Sequence, residues 1–217
     1  MKLVMVAGGS VDEELLTEIC GNKDAAFLGI DEGVLRLEAA GVTPEYVIGD
    51  FDSVPEEEKN RISRTYPDRR ILNPVKDDTD MEAAVRRVLE MDPLPEEVLI
   101  LGATGGRMDH LLANLRLLVL FAEKRIPAFI LDRQNRIRIL TETTVIRKEE
   151  MYGRYISLLP VTEAVEGLSL RGFRYPLDHA RLDVVSSLGI SNELSGAEGE
   201  IRFDRGMIYM METKDRE

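Results

Sequence analysis

The chain has 217 residues, room for one large or two small domains with a sizeable core. Its 44% hydrophobic and 31% charged residues exclude a disordered or fibrous protein. With 28 basic against 40 acidic residues, the net charge of −12 repels phosphate backbones and sets nucleic-acid binding aside.

No apolar stretch approaches the roughly 20 residues of a membrane span, so no membrane partner is expected. The N-terminal MKLVMVAGGSVDEELL runs from a short apolar segment into Gly-Gly and acids, without the longer run of a signal peptide. The single cysteine, Cys20, has no partner for an internal disulfide. A cytoplasmic protein is the expectation.

In chain order, Leu3–Ala7 reads as a buried strand, followed by Gly8-Gly9-Ser10 and a helix over Asp12–Cys20. Ala26–Ile30 is a second strand, and Val34–Ala40 a helix stopped by Gly41. Tyr46–Ile48, Val98–Leu101 and Ala128–Leu131 are further strands, with helices at Glu56–Ser63, Met81–Glu90 and Leu111–Lys124 between them. Leu111, Leu112, Leu115, Leu118, Val119 and Ala122 recur at helical spacing as an apolar core stripe. This alternation predicts a largely parallel sheet covered on both faces.

After about Arg133 the texture changes to short strands: Arg136–Leu140, Tyr155–Leu159, Gly167–Leu170, Glu200–Phe203 and Met207–Met211. The expected class is therefore α/β, with an α/β domain over 1–135 and a small all-β domain over 136–217.

Four acidic clusters follow strands or precede helices. Asp31-Glu32-Gly33 alone is ordinary turn chemistry. Gly49-Asp50-Phe51-Asp52-Ser53 brings two carboxylates within reach of one hard cation, and Mg²⁺ favours one or two carboxylates plus substrate phosphates. The bland alternative is a turn in which Ser53 caps the following helix. In Lys76-Asp77-Asp78-Thr79-Asp80-Met81-Glu82, Thr79 and Glu82 form a capping box, and a helix start beside Lys76 suits phosphate oxygens.

The fourth cluster is Gly102-Ala103-Thr104-Gly105-Gly106-Arg107-Met108-Asp109-His110. Its glycines permit close backbone approach, Arg107 offers a fork of donors to phosphate, and Asp109 is a candidate helix cap. His110 and Asn114 share a helix face, off the leucine stripe. Each cluster has a dull explanation, but ligands of open parallel sheets bind beyond the carboxyl ends of the strands, where all four fall. From the residues alone, a Mg²⁺-dependent enzyme handling a nucleotide phosphate is expected.

The order Asp31-Glu32-Gly33, Gly-Asp-Phe-Asp-Ser (49–53), Lys-Asp-Asp-Thr-Asp (76–80) and Gly-Gly-Arg-Met-Asp-His (105–110) with Asn114 resembles the thiamine pyrophosphokinase family. Gly189-Ile190-Ser191-Asn192 matches that family's Gly-x-Ser-Asn motif, and Gly206-Met207-Ile208-Tyr209 its closing strand. The resemblance implies an α/β nucleotide-binding domain followed by a β-sandwich that binds thiamine, working as a homodimer. It implies transfer of pyrophosphate from ATP to the hydroxyethyl group of thiamine, with thiamine diphosphate and AMP as products.

By the same resemblance Asp50, Asp52, Asp80 and Asp109 would hold Mg²⁺, with Asp77 close by. Asp31, Ser53, Lys76, Asp77, Thr79, Gly105, Gly106, Arg107 and His110 would serve ATP, and Ser191 and Asn192 thiamine. Asp52, Asp80 and Asp109 are the catalytic candidates, with Asp80 or Asp109 taking the hydroxyl proton. Two features depart from the pattern: Glu32 adds a charge near the phosphate site, and the chain has no tryptophan to stack on thiamine. The competing expectations are a related enzyme acting on a hydroxymethyl pterin, a non-catalytic thiamine or nucleotide sensor, and a metal-dependent phosphoesterase.

Overall fold

The computed structural model describes residues 1–21, 24–66 and 78–215. Two compact units divide the chain, Met1–Arg133 and Gln134–Glu217.

The first unit alternates strand and helix: β1 (Lys2–Val6), α1 (Glu13–Cys20), β2 (Ala25–Ile30), α2 (Gly33–Ala39), β3 (Tyr46–Ile48), α3 (Glu56–Thr65), α4 (Asp80–Val88), β4 (Glu97–Leu101), α5 (Met108–Glu123) and β5 (Ala128–Leu131). Its strands pair in the order β3-β2-β1-β4-β5, all parallel. Leu3, Val4, Met5 and Val6 are all buried, the continuous apolar run of a strand covered on both faces. Chain order steps from β1 outward to β3, then returns to the other flank of β1 with β4. The carboxyl ends of β1 and β4 therefore flank a topological switch point, where open sheets leave a crevice.

Local chemistry places the helices at that end. Asp12 caps α1 by accepting from the Leu15 amide at 2.9 Å, and Thr79 caps α4 by accepting from Glu82 at 3.2 Å. Only half of the capping box forms, because the Glu82 carboxylate accepts from Arg86 Nε and Nη2 instead. Gly33 opens α2 against β1: a Cβ there would lie 1.8 Å from the Val6 carbonyl oxygen, so only glycine admits this approach.

Three expectations for this unit need correction. Ser53 does not cap α3, whose N-cap is Pro55; the Ser53 hydroxyl donates to Asp52 Oδ1 at 3.1 Å. Asp109 is not the cap of α5, which starts one residue earlier with Arg107 at the N-cap. The leucine stripe is also misaligned. Leu112 is 53% exposed, and the buried face of α5 runs through Asn114, Leu118 and Phe121. Asn114 is thus on the core side, where its amide donates to the Ala103 carbonyl at 3.1 Å.

The second unit contains β6 (Asn135–Leu140), β7 (Thr144–Arg147), β8 (Tyr155–Pro160), β9 (Ala164–Arg171), β10 (Leu177–Asp183), β11 (Glu198–Arg202) and β12 (Ile208–Thr213). β12 lies antiparallel between β6 and β8, and β10-β9-β11-β7 form a separate antiparallel sheet. Leu158 and Met210 from the first set meet Leu168, Leu182 and Ile201 from the second in one apolar cluster. β7 and β10 are additions to the strands read from sequence. β10 hides because its pairing with β9 shifts register twice and His179 takes φ +48°, which breaks the alternation of inward side chains.

Among the described residues, no helix is long and apolar enough to cross a membrane.

Candidate active site

A cavity of about 570 Å³ opens in the first unit, beyond the carboxyl ends of its strands. Gly8 and Gly9 from the end of β1, Asp31 and Glu32 after β2, and Asp50, Asp52 and Ser53 after β3 line it. Asp78, Thr79 and Asp80 come from the start of α4, and Gly102–Thr104, Gly106, Arg107, His110 and Asn114 from the β4–α5 connection and α5.

Backbone geometry holds the acids in place. Asp31 sits at φ +50°, a left-handed conformation that costs a non-glycine residue energy, and its amide donates to the Ile48 carbonyl at 2.8 Å. Three residues past the end of β3, Phe51 also takes a left-handed φ of +56° and buries its ring with Val34, Val47, Val54, Ile62 and Tyr66. That anchor turns the flanking Asp50 and Asp52 outward. Asp50 Oδ1 accepts from the Asp52 amide at 3.0 Å, which braces the pair. Gly49, at φ +148°, passes so close to Asp31 that a Cβ would meet its amide nitrogen at 3.0 Å. From the other side, Arg36 Nη2 donates to the Gly8 carbonyl at 2.8 Å and fixes the turn after β1.

The electrostatics are lopsided. Six carboxylates line the cavity (Asp31, Glu32, Asp50, Asp52, Asp78 and Asp80) against one arginine, Arg107, among the described residues. Burial pushes Asp80 up to about 6, with repulsion from Asp50, Asp31 and Asp52 adding to it. Burial likewise raises Asp31, and Asp52, Glu32 and Asp50 contribute repulsion. One oxygen on each, Asp31 Oδ1 and Asp80 Oδ1, is buried without a hydrogen-bond partner. Orphaned buried acceptors on crowded acids are what a bound cation would satisfy.

Among the described residues, no three carboxylate, histidine or cysteine side chains converge closely enough to hold a metal by themselves. Mg²⁺ does not require that, because substrate phosphates complete its shell.

Asp109 stands apart from the other expected carboxylates. It is exposed on the first turn of α5 and takes Arg107 Nε at 3.1 Å and Nη2 at 2.5 Å, while its own neighbour His110 donates a backbone amide at 2.9 Å. The Arg107 fork holds its carboxyl down to about 2, with the His110 amide second. Gly105 is in the connecting turn at φ +78°, and Gly106 forms wall. Lys76 and Asp77 lie outside the described residues. Thr104, from the fourth cluster, is a wall residue, as are Gly8 and Gly9, which lie outside the four clusters and whose signal was a Gly-Gly pair just after the first strand.

Ser191 and Asn192 belong to the second unit. Ser191 is exposed at φ +54°, its amide donating to Ser157 Oγ at 3.0 Å. Asn192 is 3% exposed, and its side chain is engaged by Tyr175 and Glu193.

The model of the thiamin pyrophosphokinase catalytic domain matches residues 20–130, and that of the family's vitamin B1 binding domain matches residues 142–208. The chain is 35% identical over 213 residues to thiamine pyrophosphokinase of Bacillus subtilis (strain 168), covering 97% of this chain and 98% of that one. A crystal structure of thiamine pyrophosphokinase from Bacillus subtilis superposes with a TM-score of 0.88 at 33% identity, covering 100% of both chains. That of thiamin pyrophosphokinase from Geobacillus thermodenitrificans gives 0.86 at 33% identity, covering 99% of this chain and 98% of the other. Yeast thiamin pyrophosphokinase, 17% identical over 98% of this chain and 86% of its own, shares the fold with a TM-score of 0.78. The chain belongs to the thiamine pyrophosphokinase family.

Proposed function

We propose that this chain transfers the terminal pyrophosphoryl unit of ATP to the hydroxyethyl oxygen of thiamine, releasing AMP. The observation that carries the reading is the gathering of Asp31, Asp50, Asp52 and Asp80 around one cavity at a sheet switch point, in a chain of this family. The first unit is read as the nucleotide-binding domain. The second is read as a β-sandwich that supplies the thiamine site, with Ser191 at its surface and Asn192 shaping it from within. A homodimer and a cytoplasmic setting are part of the same proposal; the exposed Val184, Val185, Leu188 and Ile190 offer an apolar patch beside Ser191 for a second copy, and the lone cysteine suits a reducing compartment.

Asp50, Asp52 and Asp80 are the carboxylates that would hold a divalent cation, one or two at a time and together with substrate phosphates, and Asp109 would become available to it when Arg107 transfers its fork to phosphate. A bound Mg²⁺ supplies neutralisation of the triphosphate charge. The chain's own residues do the rest. Arg107, whose guanidinium is exposed at the cavity edge, turns its donors onto phosphate oxygens. The backbone around Gly8 and Gly106 offers close approach to a ligand. Attack of the thiamine hydroxyl at the β-phosphorus forms one P–O bond as the bond to the α-phosphate oxygen breaks, and the hydroxyl proton passes to a carboxylate. Asp80, which lines the cavity with an unpartnered Oδ1, suits that role better than Asp109, which is not part of the cavity wall.

The test is purified protein with ATP, thiamine and Mg²⁺, following AMP and thiamine diphosphate. Equal amounts of both products are expected, and Asp52→Asn should lose turnover by about a hundredfold or more with its circular dichroism unchanged. ATP consumption only with a hydroxymethyl pterin, or free phosphate without thiamine diphosphate, would overturn the reading.

A further inference from the structure

The cavity wall is not uniform in what it can offer a ligand. Thr104 lies in the connection from β4 to α5 and lines the cavity, its carbonyl oxygen 3.0 Å from where a Cβ on Gly9 would stand. Its hydroxyl donates to Asp132 Oδ2, just after β5, at 2.7 Å. A threonine hydroxyl has one proton, and a carboxylate can only accept. With that proton committed to Asp132, Thr104 presents only a lone pair to a ligand.

The arrangement is firmly held. Asn114 donates to the carbonyl of Ala103, the residue before Thr104, at 3.1 Å. The Ala7 amide donates to the Leu101 carbonyl at 2.9 Å and the Gly9 amide to the Gly102 carbonyl at 3.1 Å, tying this connection to the turn after β1. These bonds hold the backbone that carries Thr104, and the bond to Asp132 sets the direction of its hydroxyl. Phosphate oxygens are acceptors bearing negative charge, and a hydroxyl fixed as an acceptor has nothing to give them. A ligand group that meets Thr104 must bring its own N–H or O–H. On ATP those donors belong to the nucleoside alone: the two ribose hydroxyls and the exocyclic amine.

We infer that Thr104 is a specificity-determining residue that accepts a hydrogen bond from a donor on the nucleoside part of ATP, so that the β4–α5 side of the cavity reads the nucleoside while the aspartates and Arg107 take the triphosphate. This rests on the reading of the cavity as the ATP site. A buried polar group left without its partner is the strong form of discrimination, because the analogue lacking the donor leaves the acceptor unsatisfied.

The experiment compares kcat/KM for ATP, 2′-deoxy-ATP, 3′-deoxy-ATP and purine riboside triphosphate, which lacks the exocyclic amine, in the wild type, Thr104→Val and Thr104→Ser. The wild type should disfavour one of the three analogues by about tenfold, and that analogue identifies the donor. Thr104→Val should lose this preference by becoming slower with ATP, leaving the analogue unaffected. Thr104→Ser keeps the hydroxyl and should keep the preference, which separates recognition from packing. A wild type indifferent to all three analogues, or a Thr104→Val variant as selective as the wild type, would overturn the inference. Asp52→Asn, run alongside, tells the two failures apart. If it loses turnover while Thr104→Val remains selective, only the nucleoside contact is wrong; if it is fully active, the cavity is not the ATP site and both fall.

Discussion

Asn192 and Tyr175 close a ring of hydrogen bonds: Asn192 Nδ2 donates to the Tyr175 carbonyl at 2.7 Å, and the Tyr175 amide donates to Asn192 Oδ1 at 3.0 Å. Oδ1 also accepts from the Glu193 amide, and the Asn192 backbone exchanges bonds with Ile156 on β8. One buried side chain thus satisfies three backbone groups and sets where Ser191 stands. Asn192→Ala leaves those groups unpaired and should cost about 2–4 kcal/mol, read as a lower urea midpoint at unchanged m-value. A residue that only touched thiamine would raise the thiamine KM and leave the midpoint alone.

Glu38 joins α2 to α3 by the same economy. Its Oε1 accepts from Arg61 Nη1 at 3.1 Å and from the Tyr66 hydroxyl at 2.8 Å, and its Oε2 accepts from Arg61 Nη2 at 2.6 Å. The Arg61 fork holds the carboxyl below its usual 4.5, with Tyr66 adding a smaller effect against the opposing influence of burial. Because the folded value is depressed, this stabilisation is fully present above pH 4.5 and is lost as the pH falls through the lower folded value. Glu38→Gln should lower stability at pH 7 by about 1–2 kcal/mol and reduce the acid sensitivity of the thermal midpoint between pH 5 and 3. A variant whose acid limb overlays the wild type would remove Glu38 from that linkage.

Much of this first unit was legible in the sequence, because parallel strands buried on both faces leave unbroken apolar runs such as Leu3–Val6, and their order puts motifs at one end of the sheet. What escaped were relations that no local pattern encodes. Thr104 with Asp132 and Glu38 with Arg61 pair residues more than twenty positions apart, which only the fold brings together. Asn114 was assigned to the wrong side because a polar residue on a buried face is explained by its partner, the Ala103 carbonyl, and not by helical period. In the second unit the bulged β10, with exposed residues at its centre, carried no alternation to read. The acids of the candidate site were found by their spacing. That Asp109 pairs with Arg107 two residues back was a matter of side-chain reach on the first turn of α5.

Asp31 illustrates a conflict between stability and ligand binding. Its Oδ1 is buried without a partner, and Asp52, Glu32 and Asp50 all repel its charge. Asn has nearly the same shape, tolerates the left-handed φ, and removes the charge. In the absence of ATP and Mg²⁺, Asp31→Asn should raise stability by about 0.5–2 kcal/mol, seen as a higher thermal midpoint. Turnover should fall at the same time, and the stabilisation that added MgATP confers on the wild type should shrink. A destabilised Asp31→Asn protein would show that the acid is structural and that its crowding with the other three is not the dominant force.

The buried acid of the second unit makes the opposite case. Glu212 is 1% exposed and accepts from Arg136 Nε at 2.6 Å, from Arg136 Nη2 at 2.7 Å and from the Tyr152 amide at 3.3 Å. Arg136 Nη2 also donates to the Glu150 carbonyl at 2.8 Å, so the pair fastens the segment between β7 and β8 onto β6 and β12. Desolvating two charges offsets most of their attraction, yet removing one partner strands the other. Glu212→Leu alone should therefore cost about 3–5 kcal/mol, whereas Glu212→Leu with Arg136→Met should recover most of that loss. A double-mutant cycle in urea measures the coupling directly. If the double variant is as unstable as the sum of the singles, the hydrogen bonds to Tyr152 and Glu150, and not the charge pair, hold this part of the sheet together.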